Sequence, residues 1–478
     1  MSIDKKLKAV GDHNPCMTWR FGADPWALVY DRRVYLYMTA DAAEYDADGK
    51  LITNNYSSIN TINVISSADL VNWTDHGFIR AAGNEGAAKW GGNSWAPAAA
   101  YKKINGKDKF FLYFANSGNG IAVLESDSPT GPFVDPIGKA LISRDTPNCA
   151  SVTWLFDPAV LTDDDGNSYL YVGGGVPSPD KASDPGTARM VKLGDDMISL
   201  DGEPVAIEGV KFLFEDSGIN RIGDKYYYSY CSNFSMKEDD VKELGFENGE
   251  IITMESDAPL GQFKFRKGVL KNPGAFFGMG GNNHHCMFEF KGKFYVAYHA
   301  RILEEAMGMD GGYRSTNIDF MGIDADGGPA VAKGTRKGAE QVEMLDPYTK
   351  VSAATMGNAA GIDTVSLANK DGSAPDVTYG EMILTGIHTG SWTGVMGADL
   401  GTGSPKEIAY EACGTGKGSV SVRIGDPEGE EIANISIDVS GSGISEFSAP
   451  VKAGLTGVVD LYFVFEGEGY MPVSWVLR

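Results

Sequence analysis

Three carboxylates stand at matching places in this 478-residue chain. Asp24 lies 11 residues ahead of Tyr35, Asp157 lies 12 ahead of Tyr169, and Glu215 lies 11 ahead of Tyr226. Each precedes an aromatic run, and Asp24 and Asp157 are both followed by proline. One Asp-Pro alone reads as a turn or a strand entry. Three acids brought to one small volume need a reason, because like charges raise one another's pKa and cost stability. General acid/base chemistry supplies it, with one carboxylate ionised and another kept protonated. His284 lies 11 residues ahead of Tyr295, the same place in a further copy, whereas Trp95-Ala96-Pro97 carries Ala where the others carry the acid. Read alone, His284-His285 is a hydrogen-bonded core pair; the shared spacing brings it into the set.

The elements that must position these groups repeat as well. A polar turn and an aromatic strand occur as Val34-Tyr35-Leu36-Tyr37, Lys109–Phe114, Ser168–Val172, Lys225–Tyr230 and Lys293–Tyr298, with Gly-Asp, Asn-Gly or Lys-Gly hairpin signals ahead of several. Between them Ile62–Asp69, Ile121–Asp127 and Ile251–Asp257 read as third strands, each leading through a turn to a fourth that carries an aromatic. Five units of about four strands fill the first ~325 residues, and radial repetition of such sheets is a β-propeller. The spacing therefore predicts an all-β chain: a five-bladed propeller over 1–325, a linker over 326–345, and a β-sandwich over 346–478, where shorter alternating strands such as Ile408–Ala412, Ser419–Ile424 and Asn434–Val439 appear.

Composition agrees with this and removes some functions. The 61 glycines fit many turns between short strands, and 42% hydrophobic residues fit a globular protein. A formal charge of −23 argues against nucleic acid or an anionic membrane as partner. Five scattered cysteines form neither a disulfide framework nor a zinc site. The charged N-terminus lacks the apolar run of a signal peptide, and no apolar stretch would span a bilayer, so a cytoplasmic protein is expected. Asp163-Asp164-Asp165-Gly166-Asn167 opens like a calcium loop but lacks the later Glu, and reads as a hairpin turn.

The ordered segments Ala23-Asp24-Pro25, Trp95-Ala96-Pro97, Phe156-Asp157-Pro158-Ala159, Phe214-Glu215-Asp216-Ser217 and Asn282-Asn283-His284-His285 resemble glycoside hydrolase family 43, and most closely its arabinoxylan arabinofuranohydrolases. The resemblance implies an exo-acting, inverting α-L-arabinofuranosidase that releases arabinose from arabinoxylan oligosaccharides. Asp24 would be the general base and Glu215 the general acid, with Asp157 raising the acid's pKa. Trp95, Phe156 and Arg314 would contact the sugar. His284, or alternatively His285, would help hold calcium or another cation on the propeller axis, largely through waters, and no organic cofactor is implied. A β-xylosidase of the same fold and a non-catalytic sugar-binding propeller are the alternatives.

The C-terminal part resembles a family 6-type carbohydrate-binding module, through Leu345–Val351 at the junction and Val459–Phe465 with Tyr470 and Trp475 at the end. It departs from that pattern at Ser352-Ala353-Ala354-Thr355, where calcium-binding glutamates are usual, and at Met471-Pro472-Val473. Bracing the propeller is therefore the alternative to glycan binding for this domain.

Overall fold

The first repeat folds as an antiparallel meander of Ala23–Tyr30, Arg33–Thr39, Thr61–Ser67 and Trp73–Arg80. Its first turn, Asp31-Arg32, has φ of 45° and 62°, the left-handed pair that matches strand twist in a two-residue hairpin. Second, third and fourth blades follow at Trp95–Ser143, Ala159–Ala206 and Leu213–Leu270, each four-stranded. The computed structural model describes residues 2–478. Blades stack face to face, so their second strands are covered on both sides, which is why they read as unbroken aromatic runs. The aromatics also tie blades together: the hydroxyls of Tyr37 and Tyr113 donate to the carbonyls of Pro129 and Met197 in the next blade, at 2.6 and 2.7 Å.

The fifth blade differs from the expected four strands. Its sheet holds only His285–Phe290, Lys293–Ala300 and Ser315–Phe320. The N-terminal segment covers the open edge: Cys16 N donates to Thr316 O at 2.9 Å, Gly22 N to Arg314 O at 3.0 Å, and the Asn14 side chain bonds both N and O of Ile318. Ring closure thus joins the first and last blades through residues that carry no strand pattern of their own.

The C-terminal domain is a β-sandwich built on three long strands, Glu407–Ile424, Glu430–Pro450 and Val458–Leu477. The runs expected as separate strands, Ile408–Ala412 and Ser419–Ile424, are two ends of one strand. The glycines between them explain this, since a Cβ at Gly416 or Gly418 would sit 2.1 or 1.8 Å from a carbonyl of the neighbouring strand. Close approach, with irregular pairing at Gly414, bends the strand without ending it.

The two domains share a sheet, because Thr355–Met356 pairs with Thr74 and Trp73 on the outer strand of the first blade. Beside this junction Asp75, fully buried, is ion-paired to Arg20 and accepts from Trp19 Nε1 at 3.2 Å and Thr364 Oγ1 at 2.6 Å. The segment 326–345 lies along the blades, with Ala332 N bonded to Val269 O and Ala339 N to Ile318 O, each at 2.8 Å.

Candidate active site

The inner strands of the first four blades enter the hub through an irregular step. Pairing slips between Ala23 and Trp26, between Trp95 and Ala98, and between Glu215 and Gly218. Asp24, Ala96, Asp157 and Asp216 take positive φ, at 48°, 34°, 49° and 71°. A bulge of this kind re-aims one side chain while the strand behind it stays in register. Register corrects the fourth repeat by one residue. Trp26 pairs with Tyr37 four residues before the hairpin residue Tyr30, and Gly218 pairs with Ser229 four residues before Ile222. The counterpart of Asp24 is therefore Asp216, and Glu215 sits one place earlier.

Asp24, Asp157, Glu215, His284, Arg314, Trp95 and Phe156 line one cavity of about 100 Å³. At about 30 Å³ per water that is the space of roughly three waters, the scale of one sugar ring and not of two. Of the site residues expected from sequence, only His285 does not face it. Both ring nitrogens of His285 are engaged: Nδ1 makes a close contact with Asp216 Oδ2, and Nε2 lies 2.8 Å from Ser229 Oγ. His285 is thus a support behind the pocket and not the alternative metal ligand.

Arg314 organises the side of the cavity around Asp24. Its Nη1 donates to Asp24 Oδ1 at 2.9 Å, and Nε and Nη2 form a fork on Asp41 at 3.0 and 2.8 Å. The Tyr56 ring lies 4.7 Å from the guanidinium carbon. His299 Nδ1 accepts from Asp24 N at 3.2 Å, and its Nε2 faces Asn282 O at 3.1 Å. Asp41, Tyr56, Asp216, Asn282 and His299 escaped the sequence reading. For Asp216 a signal existed: counting back from the hairpin turn, instead of from the first tyrosine of Tyr226-Tyr227-Tyr228, gives its place.

The carboxylates are tuned in opposite directions. Burial works against the ionised form of Asp24, but Arg314, His299 and His284 outweigh it and hold the carboxyl well below the usual range. Glu215 is pushed well above its ordinary value, first by burial and then by Asp157, Asp24 and Asp216. Asp157 is also raised, by burial and then by Asp24, although it accepts a hydrogen bond from Asp216 N at 3.0 Å. Burial thus disfavours charge on both Asp157 and Glu215, and Asp157 adds to the rise of Glu215. Glu215 Oε1 is buried and without a hydrogen-bond partner among the described residues.

Calcium takes six to eight oxygen ligands. Among the described residues no group of three or more His, Cys, Asp or Glu side chains is arranged to hold a metal ion. His284 reaches the cavity with Nδ1 3.6 Å from Asp24 and 3.7 Å from Asp157, while its Nε2 lies 3.1 Å from Asp216. One ring nitrogen beside carboxylates already bonded to Arg314 and to Asp216 N does not fit a calcium site of protein ligands.

An ionised and a protonated carboxyl facing one sugar-sized cavity, at the hub of a five-bladed propeller, define a glycoside hydrolase. The chain belongs to the glycosyl hydrolases family 43, whose family model matches residues 13–329. Residues 352–476 match the carbohydrate binding module of family 6. The chain is 44% identical to arabinoxylan arabinofuranohydrolases of Bacillus subtilis and Paenibacillus polymyxa, each over 97% of its length and over 91% and 73% of theirs. Its structure aligns at a TM-score of 0.92 and 42% identity with a crystal structure of the Bacillus subtilis family 43 arabinoxylan arabinofuranohydrolase in complex with cellotetraose, covering 99% of both chains. An α-L-arabinofuranosidase of Clostridium thermocellum aligns at 0.52 and 37% identity, over 68% of this chain and 98% of that one.

Proposed function

We propose that this hydrolase removes α-L-arabinofuranosyl groups from arabinoxylan and its oligosaccharides with inversion at the anomeric carbon. The observation that carries the reading is the opposite tuning of Asp24 and Glu215 across one cavity of monosaccharide size. In one step Asp24 takes a proton from water as the water oxygen bonds to the anomeric carbon. The bond to the leaving oxygen breaks as Glu215 gives that oxygen its proton. Asp157 helps keep the pKa of Glu215 raised, and exchange with solvent returns a proton to Glu215 and removes one from Asp24 for the next turnover. Trp95 and Phe156 wall the sugar ring, and the Arg314 fork keeps Asp24 ionised and aimed.

An aromatic ridge leads away from the cavity. Phe156 packs on Trp154 with ring centroids 5.4 Å apart, Trp154 on Phe214 at 5.3 Å, and Phe214 on Phe234 at 5.3 Å. Trp154 and Phe234 are 36% and 50% exposed, which suits stacking against a β-1,4-linked backbone outside the pocket. Trp154→Ala is expected to raise KM for an arabinoxylo-oligosaccharide about tenfold, the effect of losing ~1.4 kcal/mol of stacking, and to leave an aryl arabinofuranoside nearly unaffected. For the C-terminal module the shared sheet and the Asp75 cluster support a bracing role.

Parallel assays on nitrophenyl arabinofuranoside and nitrophenyl xyloside test the activity. Turnover of the arabinofuranoside should dominate; dominance of the xyloside would make the protein a β-xylosidase, and no turnover of either would make it a sugar-binding propeller. Early-time NMR should show the inverted anomer first.

A further inference from the structure

Asp216 has no part in the proton transfers above, yet it bonds to both the third blade and the fifth. Its side chain is fully buried. Its main-chain N–H donates to Asp157 Oδ2 at 3.0 Å. Its Oδ2 accepts from His285 N at 3.1 Å and makes the close contact with His285 Nδ1, while Oδ1, 3.1 Å from His284 Nε2, makes no hydrogen bond among the described residues. His285 continues to Ser229 Oγ at 2.8 Å. The strand leaves room for this chain of contacts only because residue 218 is glycine, where a Cβ would stand 2.3 Å from Ser229 Oγ and 3.0 Å from His285 Nε2.

Pairing slips on both sides of Glu215, between Leu213 and Glu215 and between Glu215 and Gly218. The ladder thus holds Glu215 only loosely, and what secures the chain next to it is Asp216, clasped by the fifth blade and bonded to the third. We infer that Asp216 is a positioning residue that fixes the direction of Glu215 by anchoring the adjoining main chain to Asp157 and His285. The inference rests on Glu215 being the proton donor of the proposed reaction. Its chemical consequence is specific: misdirecting the donor harms substrates whose leaving oxygen needs a proton, and spares those whose leaving group departs without one.

The test compares wild type, Asp216→Asn and Glu215→Ala on an arabinoxylo-oligosaccharide and on dinitrophenyl arabinofuranoside. Asp216→Asn should lower kcat about 100-fold on the oligosaccharide with KM within about threefold, and lower kcat on the dinitrophenyl substrate less than about fivefold. Equal losses on both substrates, or no loss on either, would overturn the positioning role. Where Asp216→Asn fails to fold, Ser229→Ala removes the outer end of the same chain, and should show the same bias at about tenfold on the oligosaccharide; equal losses on the two substrates there count against the inference in the same way. Glu215→Ala separates the two levels, because a loss without leaving-group bias in that variant removes the donor assignment itself, whatever Asp216 does.

Discussion

Glu215→Ala should cost about 10³- to 10⁴-fold in kcat/KM on arabinoxylo-oligosaccharides while calorimetry still shows the oligosaccharide bound. Both halves follow from the cavity. The buried, partnerless Oε1 of Glu215 holds up little of the fold, so its loss removes a proton and not a support. Trp95, Phe156 and Arg314 remain to hold the sugar. Asp24→Asn should be comparably inactive for a different reason, the loss of the group that takes the water proton. Activity within tenfold of wild type in either variant would refute the assignment of roles. Because the two groups act in one step, the double variant should lose little more than the worse single one.

The second large effect is expected at Arg314. In Arg314→Ala two buried carboxylates, Asp24 and Asp41, lose the cation they share, and stripping one partner from a buried ion pair typically costs ~3–5 kcal/mol. Urea unfolding should show that loss at neutral pH. Linkage gives its pH dependence. The folded-state pKa of Asp24 is depressed, so its stabilisation is present above the unfolded value of about 3.9 and disappears as pH falls through the folded one. Wild type and variant should therefore converge in stability in strong acid and separate as pH rises toward roughly 4, with the full difference present above it. The acid limb of kcat/KM should move to higher pH in the variant, because Asp24 without Arg314 is protonated more readily. An unmoved acid limb would mean that another group sets it. Arg314→Lys should recover only part of either effect, since an ammonium cannot form the fork on Asp41.

Much of this was legible in the chain before folding, for identifiable reasons. The blades announced themselves because a tight turn followed by an aromatic strand is a local pattern, repeated five times, and because stacking buries both faces of that strand. The hub acids were found through their distance from those strands. The same ruler failed by one residue in the fourth blade, where three consecutive tyrosines allow two alignments, and so Glu215 took the place that belongs to Asp216. Tyr56 lines the pocket while Asp41 and His299 stand behind Arg314 and Asp24, and all three were invisible because they come from strand ends and loops at no fixed spacing. Residues 14–22 close the ring with main-chain and asparagine hydrogen bonds that leave no apolar alternation to read. In the sandwich, glycines that signal turns elsewhere instead permit close strand contact, and two short expected strands became one bent strand.

Ala96 gives the hub its remaining meaning. Five blades offer five inward positions, and in this chain four of them hold Asp24, Asp157, Asp216 and His284. At its inward position the second blade presents only a methyl group, Ala96, on a backbone held at φ 34° with its N–H donated to Thr39 Oγ1 at 2.8 Å. That methyl lies on the cavity wall. The vacancy left by a fivefold design filled in four places is the berth itself, so the shape of the guest is written chiefly in what one blade leaves out. Enlarging the residue at that position is the shortest route by which a descendant of this protein would come to prefer a smaller guest, with its proton-handling groups untouched.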